Sequence, residues 1–169
     1  MRLGIEYDET HRGTYYLVDA PTVVRPFAFQ LHIATPKIRE FLRENSALAE
    51  GFVDAEGLAT HAQAAGLVTW KRATRRIAYS LEFSADDGRL LAFVGEKDLH
   101  LMLGKRALTQ LGGSLFHLPG PGTRLCQSAA RQEIGRASLH FDLKHDFWPM
   151  MQSARLLIPG FALGWPGTR

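Results

Sequence analysis

Two short stretches place a carboxylate and a histidine two residues apart: Asp98 with His100, and His140 with Asp142. In an extended chain that spacing puts both side chains on one face. A carboxylate beside an imidazole orients its tautomer and raises its pKa, as a general base requires. In both stretches the intervening positions are the apolar ones, so the pairs are expected to face water, where an ion pair contributes little. A polar lumen would exchange the two faces. Glu6, Glu96 and Asp98 are the carboxylates that a small barrel enzyme could use as its acid, and no catalytic residue is assigned.

Other chemistries have weaker signals. The seven histidines show no His-Glu-x-x-His spacing, so no metal is expected. A strand-built site from His32, His100 and His140 is the alternative. There is no Gly-x-Ser-x-Gly elbow, and Cys126 has no evident activating partner. No Gly-x-Gly-x-x-Gly follows a strand and no phosphate loop is present, so no cofactor is expected.

The elements that would carry these groups alternate with period two. Phe27, Phe29, Leu31 and Ile33 alternate with smaller or polar residues, as do Ile77, Tyr79, Leu81 and Phe83, and Leu139, Phe141 and Leu143. Each reads as a strand with one wet face. Asp87-Gly88 between two apolar runs marks a hairpin. Further strands are expected near 3–7, 14–18, 48–53, 66–72, 89–97, 99–103 and 107–118. Helices are few: one over 36–44, capped by Thr35 with Pro36 in its first position, and one starting at Asp146 with Pro149 in its first turn. Hairpin-linked strands at short spacing predict a mainly β protein, an antiparallel β-barrel, with a two-sheet β-sandwich as the alternative. The barrel is preferred because closure removes exposed edges. Residues 1–155 form this domain and 156–169 an apolar C-terminal tail.

Composition agrees with one globular domain. The chain has 169 residues, 46% of them hydrophobic and 22% charged, which excludes a disordered or collagen-like class. A single cysteine permits no intrachain disulfide and makes a cytoplasmic location the default. The N-terminus has no signal-peptide pattern, and no run approaches the ~20 apolar residues of a spanning helix.

Two segments stand out. Lys71-Arg72-Ala73-Thr74-Arg75-Arg76 is the densest charge cluster. It reads as a solvated hairpin end or a site for an anionic partner such as lipid head groups. Aromatic interleaving is absent there, so nucleic acid is not expected. The stretch Phe147–Trp165 carries more apolar surface than one short helix hides. It would cover the barrel, or serve as a protein-partner, homodimer or peripheral membrane contact.

A more specific pattern spans the central hairpins: Gly66-Leu67-Val68-Thr69-Trp70, Arg76-Ile77-Ala78-Tyr79-Ser80-Leu81-Glu82-Phe83, Asp87-Gly88-Arg89 and Phe93-Val94-Gly95-Glu96-Lys97, then Leu115-Phe116. It resembles the β-rich accessory domain that accompanies some bacterial cholesterol-oxidase-like (GMC-type) oxidoreductases and lipid-hydrolase-like proteins. The resemblance runs roughly over 13–155. It implies an accessory or lipid-associated module with no catalytic residues to carry over. Gly95 and Lys97 match its Gly-x-Lys element, making Lys97 the polar residue of first interest. The sequence has no flavin-binding region, so the resemblance does not imply oxidase activity, and the tail after Arg155 departs from the pattern.

The expected function is therefore a non-catalytic barrel that binds an apolar ligand, lipid or sterol-like, or assists a lipid-metabolising enzyme. The expected ligand-binding residues are Phe29, Leu31, Trp70, Tyr79, Leu81, Phe93, Lys97 and Phe116. The alternatives are an interaction module docking through Phe147–Trp165 and a small cyclase- or isomerase-type enzyme, which would need a buried carboxylate with a raised pKa.

Overall fold

The computed structural model of the protein describes residues 4–35, 43–98, 110–119, 132–142, 145–158 and 161–164. Eight antiparallel strands run in sequence order: β1 (Gly4–Leu17), β2 (Ala20–Thr35), β3 (Ser46–Ala55), β4 (Ala59–Lys71), β5 (Arg76–Ser84), β6 (Leu90–Asp98), β7 (Gln110–His117) and β8 (Gln132–His140). Pairing of β1 with β8 closes them into a barrel. That rules out the sandwich. A barrel of eight strands is just wide enough for side chains to fill.

The period-two pattern explains the wall. On β2, Phe27, Phe29, Leu31 and Ile33 are buried, whereas Gln30 and His32 between them are exposed. On β5, Tyr79, Leu81 and Phe83 point inward in the same way. The Asp87-Gly88 turn joins β5 to β6, with Gly88 at φ 84° and the Asp87 carboxylate accepting from the Arg89 amide at 3.1 Å. Only glycine reaches such a φ at little cost.

β6 shows how the inside is filled. Phe93, Gly95 and Lys97 face inward in turn, and Gly95 pairs with Gly113 of β7. A Cβ at Gly113 would stand 2.5 Å from the Phe93 ring, and one at Gly95 2.7 Å. The two glycines leave the space in which that ring lies flat on the sheet. Phe93 then meets Phe27 and Phe29 at centroid distances of 5.5 and 5.9 Å, and Tyr15 meets Phe27 at 5.8 Å. These rings pack the middle of the lumen.

The chain leaves the sheet after β8, makes a short helix α1 (Phe147–Ser153), and returns as β9 (Arg155–Ile158) and β10 (Phe161–Gly164). The expected C-terminal helix is thus present, begun by Asp146 and carrying Pro149 in its first turn. Part of the segment read as a tail forms two strands joined to β1 through β9. Of the expected 36–44 helix, only Arg43 and Glu44, both helical, are among the described residues. The strand expected over 99–103 lies outside them, as do His100 and Cys126. No helix among the described residues is long and apolar enough to cross a membrane.

Candidate functional site

β1 changes neighbours along its length. It pairs with β9 from Gly4 to Glu6 and with β8 from Arg12 to Leu17. Between these ladders, Tyr7 to His11 have no strand partner on that side among the described residues. Helix α1 covers the gap. The Ser153 hydroxyl accepts from the Asp8 amide at 2.7 Å, supplying the hydrogen bond that a strand would have made. Arg12 donates to both oxygens of Asp146, at 2.8 and 2.7 Å, and fixes the start of the helix.

Beneath this cover the lumen turns polar. Tyr7, Glu9 and His11 alternate with Asp8, Thr10 and Arg12, and Glu9 and His11 are buried. Glu9 Oε1 accepts from His11 Nε2 at 2.9 Å and from Lys97 Nζ at 3.3 Å. Glu9 Oε2 accepts from the Tyr79 hydroxyl at 2.9 Å. Lys97 is also buried and lies 5.0 Å from the centre of the Phe141 ring.

The charge states follow from these contacts. Burial opposes ionisation of Glu9, but the hydrogen bonds from His11 and Tyr79 and the nearby Lys97 ammonium outweigh it and pull the carboxyl down to about 2. Burial lowers His11, which stays neutral and donates through Nε2. Its Nδ1 is buried without a hydrogen-bond partner among the described residues. Burial raises both phenols, with the Glu9 charge adding to it, so Tyr7 and Tyr79 stay protonated.

A pocket of about 280 Å³ opens onto this cluster. Tyr7, Glu9, Tyr79 and Lys97 form its polar side; Ile77, Met150, Met151 and Ala154 form its apolar side. Three larger hollows lie on the surface, one of about 730 Å³ over β3 to β5, and none of the three is lined by a buried charged side chain among the described residues.

No protein-family model, curated protein or solved structure matches the chain. The site therefore rests on its geometry.

The residues expected to bind ligand are distributed unevenly. Tyr79 and Lys97 line the pocket. Phe29, Leu31, Leu81 and Phe93 are buried in the packed lumen. Trp70 is half-buried against the core, and Phe116 is half-buried beside a register shift that leaves Leu115 as the inward residue of β7.

The carboxylates considered as acids lie elsewhere. Glu96 is on the outer face, held by Lys71 and Arg76, with Asp98 on that same face. Glu6 lies 3.6 Å from the exposed His32. Asp142 falls beyond the end of β8 and accepts from His145 at 2.6 Å, so it does not share a strand face with His140. His32 and His140 pair with Asp8 and Arg12 on opposite sides of β1 and do not converge.

Sequence reasoning missed Tyr7, Glu9, His11, Met150 and Met151. The spacing rule applied to Asp98/His100 and His140/Asp142 also picks out Glu9/His11, the pair that faces inward.

Proposed function

We propose that the protein is a non-catalytic binding barrel for a compact amphiphilic molecule. The ligand's apolar part rests on Ile77, Met150 and Met151, and its polar head meets the Tyr7, Tyr79 and Lys97 side. The observation carrying this reading is the pocket beneath α1, where one wall is apolar and the other holds a buried network that joins His11, Tyr79 and Lys97 through Glu9. Its volume of about 280 Å³ equals the liquid share of roughly nine waters, which suits a short lipid-like molecule better than a sterol. The packed rings of Phe27, Phe29 and Phe93 close off deeper entry. The resemblance to accessory domains of lipid-metabolising proteins fits a carrier or helper role.

Two observations weigh on the alternatives. An acid catalyst would need a protonated carboxyl in the pocket, whereas Glu9 is held ionised. Docking of a partner protein through the C-terminal segment is supported by Trp148, 66% exposed on α1. Light scattering on the Trp148→Ala variant tests it: loss of an oligomer present in the parent protein supports the docking reading.

Native mass spectrometry of the protein purified from its own host tests the binding reading. A small molecule is expected to travel with the parent protein and to be lost from Met151→Trp, whose indole fills the pocket. An empty protein that also takes up none of the short-chain probes named below would overturn it.

A further inference from the structure

The pocket's hydrogen-bonding capacity is lopsided. Glu9 has three of its roughly four acceptor positions filled, by His11, Lys97 and Tyr79. Lys97 has three N–H bonds; Glu9 takes one, and the Phe141 ring stands against another side of the ammonium. Tyr7 has no hydrogen-bond partner among the described residues, and its phenol stands within electrostatic reach of Glu9 and Tyr79. The pocket thus offers two open donors, Lys97 N–H and Tyr7 O–H, and little acceptor capacity.

Charge narrows the choice. Ionised Glu9 and Lys97 cancel, and His11 is neutral. An anionic head would add an uncompensated negative charge beside Glu9. A cationic head would face Lys97. Either is strongly disfavoured when buried, because the added charge has no partner of its own. A neutral head adds no charge.

We propose that the pocket recognises a neutral carbonyl, as in a ketone, ester or amide, whose oxygen accepts from Lys97 and Tyr7 while a short apolar chain lies on Met150 and Met151. A carbonyl oxygen has two lone pairs for two donors. This rests on the binding reading above and specifies its ligand class.

Isothermal titration of the full-length protein at neutral pH with heptan-2-one, heptanoate and heptylamine separates the two claims. Heptan-2-one is expected to bind about tenfold or more tightly than either charged probe. Tyr7→Phe removes one donor and keeps the ring; it is expected to weaken the ketone roughly five- to tenfold and to leave the charged probes unchanged. Lys97→Met serves as a second variant. Tighter binding of heptanoate or heptylamine, blocked by Met151→Trp, overturns the carbonyl inference and leaves the binding barrel standing. Equal binding of all three, unaffected by Tyr7→Phe, also overturns it. No binding of any probe overturns the carbonyl inference, and overturns the binding barrel too if the protein also carries no small molecule from its own host.

Discussion

The two halves of the lumen are built on opposite principles, and β1 runs through both. Near its C-terminal end, Tyr15 sends its hydroxyl to the Glu56 carbonyl at 2.8 Å and its ring against Phe27. Phe29 and Phe93 continue the ring packing. Near the other end, Tyr7, Glu9 and His11 occupy equivalent inward positions, but a carboxylate and an ammonium take the space that rings take above. Buried rings stabilise through area and dispersion. A buried ion pair gives little net stability, because desolvation consumes most of the Coulomb gain. The barrel thus keeps an expensive arrangement where α1 replaces a strand and where the pocket lies. That coincidence is what supports the proposal that ligand binds at the polar end, with the aromatic end as its support.

The largest expected effect falls on the supporting half. Phe93→Ala should cost about 3–5 kcal/mol, because the ring fills the hollow over Gly95 and Gly113 and nothing else can collapse into it. Urea denaturation followed by far-UV circular dichroism measures this. Gly113→Ala should also destabilise, since its methyl would collide with the same ring. A loss under 1 kcal/mol for Phe93→Ala would mean the lumen is not packed as described.

The same contrast explains what could be read from residues alone. The aromatic half announced itself: alternation in 27–33 and 77–83 identified strands, their inward faces and hence the barrel. The polar half did not. From Asp8 to Arg12 both faces of β1 carry polar residues, so no apolar period marks an inside, and two short strands were expected near 3–7 and 14–18 instead of one from Gly4 to Leu17. The gap that α1 fills was invisible for another reason. It arises from β1 switching partners between β8 and β9, a long-range pairing with no local signature. Met150 and Met151 line a pocket only because of that switch. Lys97 stood out through its place after Phe93 and Gly95 in a family-like pattern, but its counter-ion sits 88 residues away.

Next in size is the ion pair itself. Lys97→Met leaves Glu9 buried without its cation and should cost about 3 kcal/mol. Glu9→Gln removes the charge that Lys97 answers and should cost a similar amount. The double variant, Glu9→Gln with Lys97→Met, should cost clearly less than the sum, a coupling of about 1–3 kcal/mol in a double-mutant cycle. Additive losses would show that the two groups do not interact.

Acid should act most strongly on the polar half, because the lowered carboxyls of Asp87, Glu96 and Glu133 are exposed and Glu9 is buried. Glu9 has a folded pKa of about 2 against an unfolded value of 4.5, so the unfolded chain binds the extra proton. The stability it contributes is present above pH 4.5 and is lost as the pH falls toward 2, about 3 kcal/mol in all. His11, lowered from 6.5, adds a milder loss that begins below pH 6.5. Melting temperature against pH should therefore decline gently below 6.5 and steeply below 4.5. In Glu9→Gln the steeper limb should flatten; a parent-like curve would place the acid sensitivity in other carboxylates.

The smallest effect separates cover from core. Ser153→Ala removes the bond to the Asp8 amide, which sits where β1 is paired with β2 on one side only, and Asp146→Asn weakens the tie to the exposed Arg12. Each should cost about 1 kcal/mol or less in global stability. Hydrogen exchange should respond more than denaturation. With Ser153→Ala, the amides of Asp8 and of α1 should exchange faster while those of Phe29 and Phe93 keep their protection, because local opening draws on a smaller free energy than global unfolding. Equal acceleration at both ends would mean that α1 is part of the same cooperative unit as the aromatic half, and that the pocket opens only when the barrel does.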